Sequence, residues 1–278
     1  MPAMEIQGFS MKKIVIALFW LTLAVAGPAQ ADATADFQAL LDEHWEWTLS
    51  NSPEMASALG DRRFNQAWQD RSIDAIEQRH KQASEFLRRT YAIDRNALQD
   101  DEQLNYELFR RQLQDAVDRH QFKGYLLPFS QRGGVQNLEN LTNRLSLVTV
   151  QDYDDWLARL GKIDRVIDQT IKLAERGRKS GIVSPRILME RIPDQISAQL
   201  VEFAADSPFF TPFETLPESF SAADRERLRA AASEIIEETV LPAYRELDRY
   251  FNKEYLPAAR DSVGLSELPN GSAWYEYL

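Results

Sequence analysis

The sequence predicts an all-α fold, a multi-helix array of antiparallel helices with few or no strands. Two observations predict it. Apolar residues recur at steps of three and four along nearly the whole chain, and nowhere do they hold a sustained period of two. Helix punctuation falls where those runs begin and end: Ser or Thr three residues before an acid at the starts, Gly and Pro at the stops. With 44% apolar residues in 278, the chain can also build the core that such an array needs.

The first segment reads as a leader rather than as part of the array. Lys12 and Lys13 form a basic start, Ile14 to Ala26 an apolar run, and Ala29-Gln30-Ala31 the small residues at which a signal peptidase cleaves. The apolar run falls short of the ~18 residues that cross a bilayer. Residues 1–31 are therefore expected to be a signal peptide, with the mature chain starting at Asp32. Met11, directly before the lysines, reads as a natural start, which would place residues 1–10 upstream of the true beginning.

Residues 32–278 are expected to form a single all-α domain, and its elements follow in order. "FQALLDEHWEWTLSNSP" puts Phe37, Leu40, Leu41, His44, Trp45 and Thr48 on one side of a helix, with Trp45 buried. "SPEMASALGD" is a short helix with Ser52 as N-cap, Pro53 in the first turn and Gly60 as the stop. Ser72 starts a helix whose apolar face is Ile76, Phe86, Leu87 and Tyr91. Asp100 or Asp101 starts another, facing inward through Leu104, Leu108, Phe109 and Leu113. "YLLPFSQRGGVQ", Tyr125 to Gln136, is a loop marked by Pro128 and Gly133-Gly134. Thr149 then caps one long amphipathic helix that runs to Gly181. Ser184-Pro185 opens the next, which Pro193 is expected to bend. "DSPFFTPFETLPESF" is too apolar for a free linker and should pack on its neighbours. Ser221-x-x-Asp224 opens the last long helix, which Pro242 kinks and Pro257 ends.

Charge and composition exclude several function classes. The formal net charge is −11, and loss of residues 1–31 makes the chain one unit more acidic. That argues against nucleic acid or an anionic membrane as partner, since both need clustered Lys and Arg. With no Cys there can be no disulfide, thiolate metal site or lipidated N-terminal Cys. The expected location is periplasmic or secreted.

No catalytic residue and no metal ligand is assigned. His44, His80 and His120 each stand alone on a different predicted helix, without the His-x-x-x-His spacing of helical zinc sites. In "DEHWEW" the acids are sequence neighbours that diverge around a helix, and Asp154-Asp155 and Glu237-Glu238 read as solvated acids. There is no Gly-x-Ser-x-Gly, no Ser-x-x-Lys and no phosphate loop. The candidate binding segment is Gln131, Arg132, Gly133 and Gly134: the glycines let a ligand approach the backbone, and Arg132 can pair with a carboxylate. A plain connector explains the same residues equally well. Tyr244, Tyr250 and Tyr255 could line a peptide groove, but their helical spacing points to core.

Five stretches resemble a known family. Pro242-Ala243-Tyr244, then "EYLPAAR" and "GLSELPNGSAWY", together with "ALGDRRFN" and "TVQDYDDWLARL", are similar in order to the bacterial family known as domain of unknown function 885. The resemblance implies an exported protein similar to helical, carboxypeptidase-like zinc metallopeptidases. In that family a His-Glu pair, a second His and a later Glu hold the metal, beyond the segment matching "GLSELPNGSAWY". None of those residues can be carried onto this sequence, so no cofactor is expected in this chain and zinc only in a full-length relative. The expectation is the N-terminal, substrate-groove portion of such a protein, truncated and inactive alone. Its partners would be peptides and a separately encoded C-terminal half. A complete, non-enzymatic helical module that binds peptides or a partner protein is the alternative.

Overall fold

A computed structural model describes residues 28–278, with side chains from residue 33. The leader's lysines and apolar run lie outside the described residues. Among those described, the architecture is all α, with no strand and a single isolated parallel bridge between Pro185 and Arg260.

The helices are α1 (Pro28–Asn51), α2 (Pro53–Ala58), α3 (Ile73–Ala92), α4 (Asp100–Arg119), α5 (Val150–Leu160), α6 (Ile163–Lys179), α7 (Arg186–Met189), α8 (Ile192–Ser197), α9 (Thr211–Glu214), α10 (Ala222–Ile235), α11 (Leu241–Tyr250), α12 (Leu256–Ala258) and α13 (Gly271–Tyr277). Shorter 3-10 turns connect them, the longest over Val135–Arg144. The caps follow the sequence. Thr149 and Asp152 form a reciprocal capping box at α5, and Ser221 Oγ accepts from the Asp224 N–H at α10.

The chain divides into two compact units. The first, residues 28–44 and 84–114, is built on Phe37, Leu40, Phe86, Leu98, Tyr106, Phe109 and Leu113, all buried. Phe37 meets Tyr106 and Phe109 at 5.8 and 6.1 Å between ring centroids. The expected inward face of α4 is corrected here: Leu104 and Leu108 are 62% and 59% exposed, and Tyr106 takes the core position beside Phe109 and Leu113. Tyr91 is likewise exposed. Apolar residues lie on both sides of α4, and the aromatic rings fill more of the space against Phe37 than the leucines would.

The second unit, residues 45–83 and 115–278, packs α5, α6, α10 and α11 around Trp156, Ile163, Phe209, Phe213, Leu228, Tyr244 and Phe251. The Phe-rich stretch before α10 is buried as expected, with Phe209, Phe210, Phe213, Leu216 and Phe220 inside. Tyr244, Tyr250 and Tyr255 are buried as well; Tyr244 and Tyr255 are core, while Tyr250 also lines an open cavity of about 640 Å³ with Glu175 and Arg178. Trp45 is a correction: it is 48% exposed.

Three proline and glycine expectations also change. The helix capped by Thr149 is two helices, parted at Gly161 and Lys162. Pro193 bends nothing; it occupies the first turn of a new helix, α8, where its missing N–H leaves no bond unmade. At Pro242 the chain stays helical from α10 into α11 through a π-turn over Ile236–Val240, and a second π-turn over Phe251–Tyr255 precedes Pro257. A wider turn moves the preceding carbonyls away from the proline ring.

Candidate functional site

In the second unit, the 3-10 segment Val135–Arg144 and the stretch from Ser52 to Arg71 enclose an open cleft of about 620 Å³. Arg132, Gly133 and Gly134 line it; Gln131 does not, and stands behind it with its carbonyl accepting from Gln195 Nε2 at 3.0 Å. Gly133 has φ 152°, and nothing lies within 4 Å of where a β-carbon would stand, so the loop meets the cleft with bare backbone. The floor is apolar, with Met55, Trp68, Leu138 and Leu141, and the rim is polar, with Ser52, Gln69, Asn137 and Asn140. Arg71, Arg132 and Arg144 face it against one carboxylate, Glu54.

The loop is held from behind by side-chain amides. Gln136 Nε2 donates to the Ser130 carbonyl at 2.7 Å and to Gln195 Oε1 at 3.1 Å, and Gln199 Nε2 donates to the Gln136 carbonyl at 3.3 Å. Tyr244 Oη, buried below, donates to the Val135 carbonyl at 2.6 Å. Burial pushes the Glu139 carboxyl up in this layer. Such a support fixes the loop before a ligand arrives, which reduces the ordering cost of binding.

Sequence reasoning found the loop but missed Arg71 and Arg144. Arg71 lies between helices, where periodicity says nothing. Its backbone N–H donates to Gln169 Oε1 at 2.8 Å, from a helix 98 positions away. No local signal could have shown that pairing.

A second, smaller cavity of about 330 Å³ lies beside Asp152 and Asp155. Arg62 pairs with Asp152 at 2.7 Å and lies 3.8 Å from Asp155, which also accepts from Gln66 and Gln151. Burial pushes the Asp152 carboxyl up, but hydrogen bonds from Thr149 and Val148 and the Arg62 charge outweigh it and hold it below the usual range. Asp154 turns the other way and pairs with Arg227 at 2.7 Å. Asp155 is thus buried rather than solvated, and the neighbouring acids share no site. Glu237 and Glu238 are both exposed.

These acids form part of a clasp. The Arg159 side chain, fully buried, donates through Nη2 to Ser57 Oγ at 2.7 Å, to the Phe64 carbonyl at 2.8 Å and to the Pro53 carbonyl at 3.5 Å. Burial pushes its guanidinium down to about 10, which still leaves it charged at neutral pH. Trp68 Nε1 donates to the Arg159 carbonyl at 2.8 Å. "ALGDRRFN" and "TVQDYDDWLARL" are therefore partners in space. The C-terminal run has its own clasp: Arg186 donates to the Leu256, Pro257 and Ala259 carbonyls, and Arg260 to those of Val183, Ser262 and Gly264.

The histidines do not fit a zinc site. His80 and His120 stack with ring centroids 3.9 Å apart and planes 11° from parallel, so their in-plane lone pairs cannot converge on one ion. His44 sits edge-on to Phe86 and Phe109, each at 5.0 Å. Among the described residues no group of three or more His, Cys, Asp or Glu could hold a metal ion. No helix of the described residues is long and apolar enough to cross a membrane.

A comparison with protein families matches residues 53–278 to the family described as "Bacterial protein of unknown function (DUF885)". The chain belongs to this family. Both clasps lie within the DUF885 match. No curated protein matches. Among solved structures, the fold is similar to the crystal structure of the "putative lipoprotein from Colwellia psychrerythraea", with a TM-score of 0.70 and 16% sequence identity over 90% of this chain. The alignment covers 45% of that protein, so this chain spans less than half its length.

Proposed function

We propose that this DUF885 chain is the substrate-binding, N-terminal portion of an exported, metallopeptidase-like hydrolase, and that the cleft at Arg132–Gly134 receives peptide. The observation that carries the reading is the cleft itself: bare backbone at Gly133, an apolar floor and a cationic rim on a pre-fixed loop. A peptide needs all three, for its amide groups, its side chains and its carboxylates. The length relation to the Colwellia protein supports the view that the chain corresponds to part of a larger architecture. The clasped signature segments support assigning them to folding, which leaves the cleft for binding. Zinc, where hydrolysis occurs, would be held by residues outside this sequence, and the periplasm is the proposed location. The chain alone would bind without cleaving. A stand-alone peptide-binding module would use the same cleft and differ only in never hydrolysing.

Calorimetric titration of the purified protein with a panel of tri- to pentapeptides tests this. Saturable binding of at least one peptide class, without product formation, is expected. A panel in which nothing binds refutes the reading.

A further inference from the structure

We propose that Arg71 is a carboxylate anchor, and that the cleft takes the free C-terminal carboxylate of a peptide whose last side chain is apolar. The proposal rests on the peptide-binding reading above and adds which end of the peptide binds, and where.

Arg71 has a buried Nε with no hydrogen-bond partner, and among the described residues its guanidinium forms no ion pair. Among the described arginines, Arg71 and Arg159 have a buried guanidinium nitrogen without a hydrogen-bond partner, and of these two Arg71 lines the cleft. Leaving a desolvated donor unsatisfied costs stability, so a native structure that retains one calls for an explanation. The acid whose charge reaches Arg71, Glu54, makes no ion pair with it among the described residues and accepts from the Gln69 N–H at 3.3 Å. Burial lowers the Arg71 pKa more than that charge raises it. Arg71 lines the cleft, where a ligand carboxylate would pair with its guanidinium.

The class of ligand follows from the surroundings. Arg132 and Arg144, also without ion pairs among the described residues, stand on the same cleft, which gives an excess of cation over the single Glu54. A guanidinium fork matches a planar carboxylate in two parallel bonds. Met55, Trp68 and Leu138 beside it would be wasted on a bare inorganic anion but suit an apolar side chain next to the carboxylate. The Arg71 backbone is fixed in advance by Gln169 Oε1, and its neighbour Asp70 by the Ser72 N–H and Gln169 Nε2.

The test compares Gly-Gly-Phe as free acid and as C-terminal amide, with acetate and inorganic phosphate as further arms. The free acid should bind at least tenfold more tightly than the amide. Arg71→Gln should abolish that difference while leaving amide binding unchanged and the thermal midpoint no lower; Arg71→Lys, which keeps charge but not the fork, should fall between. Arg132→Gln, on an exposed loop, should weaken the acid alone by a few-fold and serves should Arg71→Gln not fold. Equal binding of acid and amide by the wild type overturns the anchor while leaving the cleft reading intact. Acetate or phosphate binding as tightly as the peptide overturns the peptide as its source. Equal loss of acid and amide in Arg71→Gln also overturns it, and no peptide binding at all removes both proposals.

Discussion

Arg159→Met tests the clasp that joins the two N-terminal signature segments. The substitution keeps an apolar stem of similar length over Trp68 but removes the guanidinium, and with it the bonds to Ser57 Oγ at 2.7 Å and the Phe64 carbonyl at 2.8 Å. Hydrogen bonds from a charged donor contribute about 1.5–3 kcal/mol each, so two are worth ~3–6 kcal/mol. Against this, methionine relieves a buried charge whose Nε and Nη1 have no partner, which offsets about 1–3 kcal/mol. The net loss is about 2–3 kcal/mol, and at ~2–4 °C per kcal/mol for a domain of this size the midpoint should fall by roughly 4–12 °C. The assay is thermal unfolding followed by circular dichroism at 222 nm. Ser57→Ala sharpens it: it should cost ~1–2 kcal/mol in the wild type and almost nothing once Arg159 is Met, because the two share one bond. Arg159→Met with wild-type stability, or a Ser57→Ala cost that is the same in both backgrounds, would refute the reasoning.

Two further outcomes follow from the packing. Gly177→Ala in α6 should destabilise by about 2–3 kcal/mol although alanine is the better helix former by ~1 kcal/mol, since its β-carbon would stand 2.5 Å from the Leu126 carbonyl and 2.7 Å from that of Ile182; a rise in the urea midpoint would contradict this. Burial holds the His44 imidazole below its usual pKa, so the unfolded chain takes up the proton first. The associated stability is present above pH ~6.5 and is lost as the pH falls through the folded value. His44→Leu should flatten the acid side of the stability profile, and an unchanged slope would count against a buried neutral His44.

What could be read from the sequence was local. The Thr149 and Ser221 caps need only residues three apart, and both formed as spaced. The loop at Gly133-Gly134 was visible because Pro128 lacks the N–H that a helix interior needs and two adjacent glycines make a helix costly in backbone entropy. Sidedness was not local. Trp45, Leu104 and Leu108 fit a helical period as well as the residues that are buried, and the choice was made by partners elsewhere in the chain. Gly161 reads equally well as a tolerated glycine or a break, because its cost in a helix is only ~1 kcal/mol. Arg71 illustrates the same limit at the site: its backbone is fixed by Gln169 and its cleft is completed by the segment from Arg132 to Arg144, none of them near it in sequence.

Hydrogen–deuterium exchange with and without a saturating peptide tests the central claim most directly, because it reports where the ligand sits as well as whether it binds. Protection of residues 130–145 and 68–72, with residues 222–258 unchanged, is the predicted result. Protection confined to segments away from the Arg132–Gly134 loop, or none at a peptide concentration that saturates binding, would contradict the account.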